Sequence, residues 1–273
     1  MVGRTVDFHL NKTPIKTREP LLKLVSIVLK DKKGINKLNN LNLEVFRGEI
    51  FGIAGVDGNG QRELSEMLFG LREKNSGSLI FNTEEIHSLT PELAHAKKIS
   101  MIPEDRHKTG LILDYSIANN CILHDRAKKP FSLNGRLQFQ AIRNFAEKLI
   151  NRFDIRPNHP DRKASELSGG NQQKIILARE IEHDPELLIA VQPTRGLDVG
   201  AIEVIHRELL ALKEKGKSVL LISFELDEIL ALSDRVGVIY NGSINQIFEG
   251  SAINRNAIGL SMIGNSKKPG SAT

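Results

Sequence analysis

The sequence predicts an α/β fold built on a mainly parallel sheet. Three observations predict it. Short β-like runs alternate with helical periods along most of the chain, the pattern of strand–helix units that feed a parallel sheet. Two late runs, "LLIAV" (187–191) and "VLLIS" (219–223), are wholly apolar, as central strands covered on both faces must be. At 273 residues, 40% apolar and 26% charged, the chain is long enough for one large domain or two small ones.

The elements follow in order. Strands are expected at "LLKLVSIVL" (21–29), "GEIFGIAG" (48–55), "SLIFN" (78–82), "KISMIP" (98–103), "ELLIAV" (186–191), "SVLLIS" (218–223) and "RVGVIY" (235–240). Helices are expected at 61–71, 91–98, 137–153, 170–182, 200–215 and 225–232. Residues 1–20 are polar, hold Pro14 and Pro20, and read as a linker or arm. The stretch 105–165 has few strand signals and the amphipathic run "LQFQAIRNFAEKLINRF". It reads as a helical insertion between core segments 21–104 and 166–250. Residues 251–273 read as an extension ending in a loose tail.

Composition excludes several classes. The single Cys121 rules out an internal disulfide. No apolar run approaches the ~20 residues of a membrane span, and "MVGRTVDFHLNK" lacks the apolar core of a signal peptide. The net charge of +5 is scattered, densest at "LKDKKG" and "NSKKPG". A solvated surface explains it, and no nucleic-acid partner is expected.

Chemistry enters at "GVDGNGQREL" (55–64). Gly55 and Gly60 have the spacing of the phosphate-binding pattern G-x-x-x-x-G-K-S/T, but Gln61 and Arg62 follow. Asp57-Gly58 and Asn59-Gly60 are also hairpin-turn dipeptides. The context favours the phosphate cradle. A strand-like "EIFGIAG" precedes, and Leu64, Met67, Leu68 and Leu71 follow at one-face helical spacing. Successive backbone N–H groups at a helix N-terminus form an anion nest. The side-chain half is missing: Gln61 carries no charge and Arg62 cannot ligate a metal.

A second motif, "LSGGNQQK" (167–174), places Ser168 before Gly169, Gly170, Asn171 and Gln172. An N-cap explains the serine but not the rest. The motif resembles the signature of ATP-binding-cassette (ABC) ATPases. Further segments agree in order: "ISMIPEDR" (99–106) resembles the Q-loop, "LLIAVQPTRGLD" (187–198) the Walker B strand and D-loop, and "VLLISFELDE" (219–228) the switch region. The resemblance covers about residues 21–248. It implies a P-loop NTPase core with a mainly parallel sheet, an antiparallel β subdomain and a helical insertion.

Carried over position by position, the resemblance implies replacements. The Walker A lysine matches Gln61 and the metal-binding hydroxyl Arg62. The Walker B aspartate matches Val191 and the catalytic glutamate Gln192. The Q-loop glutamine matches Glu104, and the switch histidine Phe224. Val191 offers no oxygen to a hard cation. Gln192 has no carboxylate for general-base assistance worth ~10²–10⁴-fold. No metal ligand is expected, and little or no ATPase activity. Nucleotide binding at the loop of Gly55, Asp57, Gly58, Asn59, Gly60, Gln61 and Arg62 is expected to be weak or absent. Ser168 and its neighbours are retained, as is Asp198 of the D-loop, for which an N-cap role suffices. The implication is a signature lent to Mg-ATP held by a partner cassette.

Phrases such as "GIAGVDGNGQREL" and "AVQPTRGLDVGAIE" resemble the second cassette of tandem ATP-binding subunits that serve bacterial nucleoside and simple-sugar importers. On that resemblance this is the C-terminal half of a longer chain. Its expected partners are an N-terminal cassette, transmembrane permease subunits and, indirectly, a solute-binding lipoprotein. It would lie at the cytoplasmic side of the membrane. The competing readings are a stand-alone ATPase, which the replacements oppose, a non-transport ABC module, and a purely structural one.

Overall fold

The computed structural model describes residues 17–264. The expected loose tail, most of the expected arm and the "MVGR" start lie outside the described residues. Contacts divide the chain into two compact units. One holds the described residues through Met101, Glu186–Gln192 and Leu209 onward; the other holds Ile102–Pro185 and Pro193–Glu208. The signature and D-loop segments thus fall in the second unit, although the sequence groups 166–250 with the core.

The first unit carries two sheets. Strands β1 (Pro20–Lys30), β2 (Asn36–Phe46), β4 (Ser76–Phe81) and β5 (Glu84–Ile86) form an antiparallel sheet in the order β2-β1-β4-β5. Strands β3 (Ile50–Ala54), β6 (Ile99–Ile102), β9 (Leu187–Val191), β10 (Ser218–Ile222), β11 (Arg235–Tyr240) and β12 (Ser243–Glu249) form the second, ordered β12-β11-β3-β10-β9-β6. Within it β11, β3, β10 and β9 run parallel, and β12 closes the edge antiparallel. Every residue of β9 and β10 is buried, as their apolar runs require.

The core of this unit joins the two sheets. Leu24 and Leu29 of β1, Leu43 of β2, Ile53 of β3, Ile189 of β9 and Ile222 of β10 share one apolar cluster. Each such side chain, fully buried, contributes roughly 1.5–3 kcal/mol. Helix α1 (Gln61–Leu68) adds Leu64, Met67 and Leu68 to it. Leu71, expected on the same face, lies beyond the helix and is exposed. Gly70 stops the helix at φ 78°, where a Cβ would sit 2.5 Å from the Thr90 backbone. Phe69 is buried in its place.

Short helices α2 (Pro91–Ala96) and α7 (Leu226–Leu232) and the C-terminal α8 (Arg255–Met262) complete the unit. Gly52 of β3 lies under α7, where a Cβ would meet Ser233 Oγ at 2.3 Å. Helix α6 (Val199–Glu214) begins in the second unit and ends in the first.

The second unit is largely helical, in keeping with the expected insertion. It contains a five-residue π-helix at Arg106–Gly110, α3 (Ile117–Cys121), a hairpin of β7 (Ser132–Leu133) and β8 (Arg136–Leu137), α4 (Phe139–Arg152) and α5 (Gly169–Glu182). Inside α5, Arg179 and Glu180 pair at 2.8 Å, both nearly inaccessible. His124 bonds the same carboxyl at 3.0 Å, and Arg179 donates to the carbonyls of Gly110 and Asn120. Burial pushes the Glu180 carboxyl up, but the Arg179 charge and the His124 hydrogen bond outweigh it and hold it down at about 2. Burial pushes the Cys121 thiol up to about 12, so this thiol is unreactive.

Candidate functional site

The loop between β3 and α1 sits at the carboxyl edge of the parallel sheet. Register fixes what stands beside it. Ile53, Ile222 and Val191 are paired across β3, β10 and β9. The loop, Phe224 and Gln192 therefore leave the sheet side by side, the place where open α/β sheets bind ligands.

The loop is built as the sequence suggests. Gly58 and Gly60 take φ 86° and 109°, conformations costly to any residue with a Cβ. A Cβ on Gly60 would lie 2.7 Å from the Lys37 carbonyl. On the other side, Asn59 accepts from the Asn241 and Gly242 amides at 2.8 and 3.0 Å. The turn between β11 and β12 thus grips the loop.

Its interior is where the structure adds something new. Gln61, only 4% exposed, folds back over the loop. Its Oε1 accepts from the Asn59 amide and its Nε2 donates to the Val56 carbonyl, both at 3.0 Å. Asn59 Nδ2 donates to the same carbonyl at 2.9 Å. Arg62 turns outward and pairs with Glu66 at 2.8 Å. Asp57 is exposed.

Three further residues singled out in the sequence stand at this edge. Val191 is a buried strand residue. Gln192 is buried at φ 49°, its amide donates to the Ile222 carbonyl, and its Nε2 has no hydrogen-bond partner among the described residues. Phe224 is half-buried. A Mg²⁺–nucleotide calls for a carboxylate or hydroxyl oxygen and a cation at the loop. An amide filling the loop and a valine at the strand end do not fit that group.

The second unit brings together the other predicted residues. Ser168 caps α5 and is exposed, its Oγ accepting from Asn171 Nδ2 at 2.9 Å. Asn171 Oδ1 accepts from the Arg156 amide at 2.7 Å. Gln172 is buried, donating to the Ala164 carbonyl and meeting His107 Nε2 at 2.9 Å. Asp198 accepts from the Ala201 amide, the N-cap bond its position suggested. A Cβ on Gly170 would lie 3.2 Å from Asp198 Oδ2.

Two arginines here were not legible in the sequence. Arg195 Nη1 bonds Glu104 Oε1 at 2.9 Å. Arg106 lies over Gly169, where a Cβ would meet its Nη2 at 2.7 Å. Glu104, which the resemblance places in the Q-loop, is thus ion-paired locally, and a guanidinium stands beside Gly169. Both arginines lie inside the Q-loop and D-loop segments quoted from the sequence, but nothing in the spacing showed which groups they meet.

These features define a P-loop NTPase core bearing an ABC signature. The ABC transporter family model matches residues 38–195, and the chain belongs to that family. ATP is the nucleotide of that family.

Relatives include the guanosine import ATP-binding protein of Bacillus subtilis, 46% identical over 98% of this chain and 52% of its own length. The nucleoside import ATP-binding protein of Lactococcus lactis is 43% identical over 97% and 52%. The glucose import ATP-binding protein of Haloferax volcanii is 42% identical over 97% and 48%. The chain spans about half the length of these curated relatives.

Among solved structures, a nucleotide-free ATP-binding cassette from an ABC transporter superposes with TM-score 0.75 at 22% identity. It covers 88% of this chain and 95% of its own. A dimeric cassette in a post-hydrolysis state bound to ADP and Pi gives 0.71 at 23%, covering 84% and 98%. These likenesses show the ABC ATPase fold.

One expectation is corrected. The phrase resemblance made this the C-terminal, degenerate half of a tandem subunit, with an N-terminal cassette before it. The comparisons identify a single ABC cassette: the family match is one cassette at 38–195, and the nucleoside-import relatives align with nearly all of this chain as that unit. The phrases behind the tandem reading lie on one loop, one sheet edge and one helix start. They describe a cassette and carry nothing about a neighbour in sequence. The relatives are named for import, so they do not favour the non-transport alternative.

Proposed function

We propose that the chain is the ATP-binding cassette of an importer for nucleosides or simple sugars, and that its signature completes a nucleotide site on a partner cassette. Its own loop neither holds Mg-ATP tightly nor turns it over. The observation that carries the import reading is the near whole-chain likeness to nucleoside-import ATP-binding proteins. The division of labour is supported by the contrast between a filled loop and an exposed Ser168.

The chemistry of the lent surface is simple. Ser168 offers a hydroxyl at the start of the fourteen-residue α5, where the helix dipole favours an anion. Arg106 adds charge over Gly169. The natural ligand of such a surface is the terminal phosphate of a nucleotide held elsewhere. Asp198 holds the D-loop turn through the Ala201 amide.

Permease subunits and, through them, a solute-binding protein are the further partners. A groove of about 750 Å³ on the second unit suits a short amphipathic helix of such a subunit. It is lined by Leu133, Leu137 and Phe139, the last 74% exposed. The place proposed for the chain is peripheral, on the cytoplasmic face, beside those permease subunits; among the described residues no helix is long and apolar enough to cross a membrane.

The test is uptake of labelled nucleoside, and in parallel labelled ribose, by cells expressing the complete transporter with this cassette. Ser168→Phe should abolish uptake, while the purified chain alone shows no ATPase activity. Unchanged uptake with Ser168→Phe would reduce the signature to a structural cap.

A further inference from the structure

We propose that Gln61 is a built-in plug: its side-chain amide occupies the hydrogen-bonding place of a phosphate and holds the loop closed to nucleotide. This rests on the reading of the loop as one that does not turn nucleotide over, and it gives that reading a cause beyond the missing lysine.

The argument starts from what a glutamine can do that a lysine cannot. A side-chain amide carries both an acceptor and two donors, whereas an ammonium carries donors only. At the first residue of α1 the amide reaches back across the loop. Its oxygen takes the Asn59 amide and its nitrogen takes the Val56 carbonyl, each at 3.0 Å. The Asn59 N–H is one of the loop amides a phosphate oxygen would need. It already has a buried acceptor of the same polarity, and an intramolecular acceptor competes at high effective concentration. A lysine at 61 would leave that N–H for a ligand and add positive charge.

The loop is also tied on the side away from the amide. Gly60 lies against the Lys37 carbonyl, and Asn59 is tied to Asn241 and Gly242. Gly55 completes the fit, since a Cβ there would lie 2.9 Å from Gln61 Nε2. The nest is thus shaped and pinned, and the plug is its occupant. Removing the plug should open a formed anion cradle rather than collapse it.

The experiment uses the purified chain with inorganic pyrophosphate as probe, titrated calorimetrically without Mg²⁺. The unaltered chain should show no saturable binding at millimolar pyrophosphate. Gln61→Ala and Gln61→Lys should each bind at least about tenfold more tightly, the value of one buried hydrogen bond freed from competition. Gln61→Lys should exceed Gln61→Ala.

Hydrogen exchange at the Asn59 amide gives a second readout. It should be slow in the unaltered chain without ligand, about tenfold faster in Gln61→Ala, and slow again with pyrophosphate. Should Gln61→Ala not fold, Gln61→Lys and the Asn59 exchange rate of the unaltered chain still decide. Equal binding by all three proteins, or no gain in either variant, overturns the plug and leaves the proposed division of labour standing. ATP turnover by the unaltered chain would instead overturn that division.

Discussion

The two motif-bearing edges of this cassette are built in opposite ways. The loop edge of the first unit is satisfied from within. A buried glutamine fills it, a neighbouring turn pins it, and its one cation faces away toward Glu66. The signature edge of the second unit is satisfied from beneath and open above. Gln172 is buried against Ala164 and His107, while Ser168 stays exposed with Arg106 beside it. At the loop a side chain completes the backbone's hydrogen bonds from inside; at the signature only the underside is completed.

The comparison can be attacked from its foundations upward. The largest effect is expected further along the signature helix, at the buried pair of Arg179 and Glu180 near the C-terminal end of α5. Glu180→Ala leaves a guanidinium buried beside a cavity and should cost about 3–5 kcal/mol in urea unfolding. The unaltered chain should show the matching pH dependence. The folded carboxyl lies at about 2 against an ordinary 4.5, so its contribution is full above 4.5 and is lost as pH falls toward 2. Glu180→Ala should remove that acid-side slope. Stability insensitive to this change would mean that the buried pair does not anchor α5 in the second unit.

A smaller effect is expected at the loop. Gly60→Ala places a Cβ at φ 109° and 2.7 Å from the Lys37 carbonyl, a strain of about 1–3 kcal/mol measurable by thermal melting. The smallest belongs to the exposed ion pair at the signature edge. Arg195→Ala breaks the bond to Glu104 and should cost less than about 1 kcal/mol, less still in high salt. If Arg195→Ala matched Gly60→Ala, the contrast between an edge held inside and one left open would fail.

The sequence revealed much of this, because most of the fold rests on period and composition. The apolar runs at 187–191 and 218–223 became central strands within a residue of their expected ends. What escaped has physical reasons. Strand β2 carries Leu38, Leu41 and Leu43 inward. Asn40 at φ 48° interrupts the alternation and hides the strand from a period-two reading. Strand β12 is an edge with mixed exposure, so its pattern is weak. Residue types at the loop edge were legible one at a time, since charge and ligand type can be read from each letter. The hydrogen bonds of Gln61 were not legible. They depend on a side chain turning back onto Val56 and Asn59, which no spacing rule encodes.

Gly55 carries a wider lesson for reading such chains. A Cβ on Gly55 would meet Ile239 at 2.7 Å as well as the Gln61 amide at 2.9 Å, so packing against β11 alone requires the glycine. A fingerprint scored on glycines alone cannot tell packing from phosphate binding. The informative letter is the one that follows them.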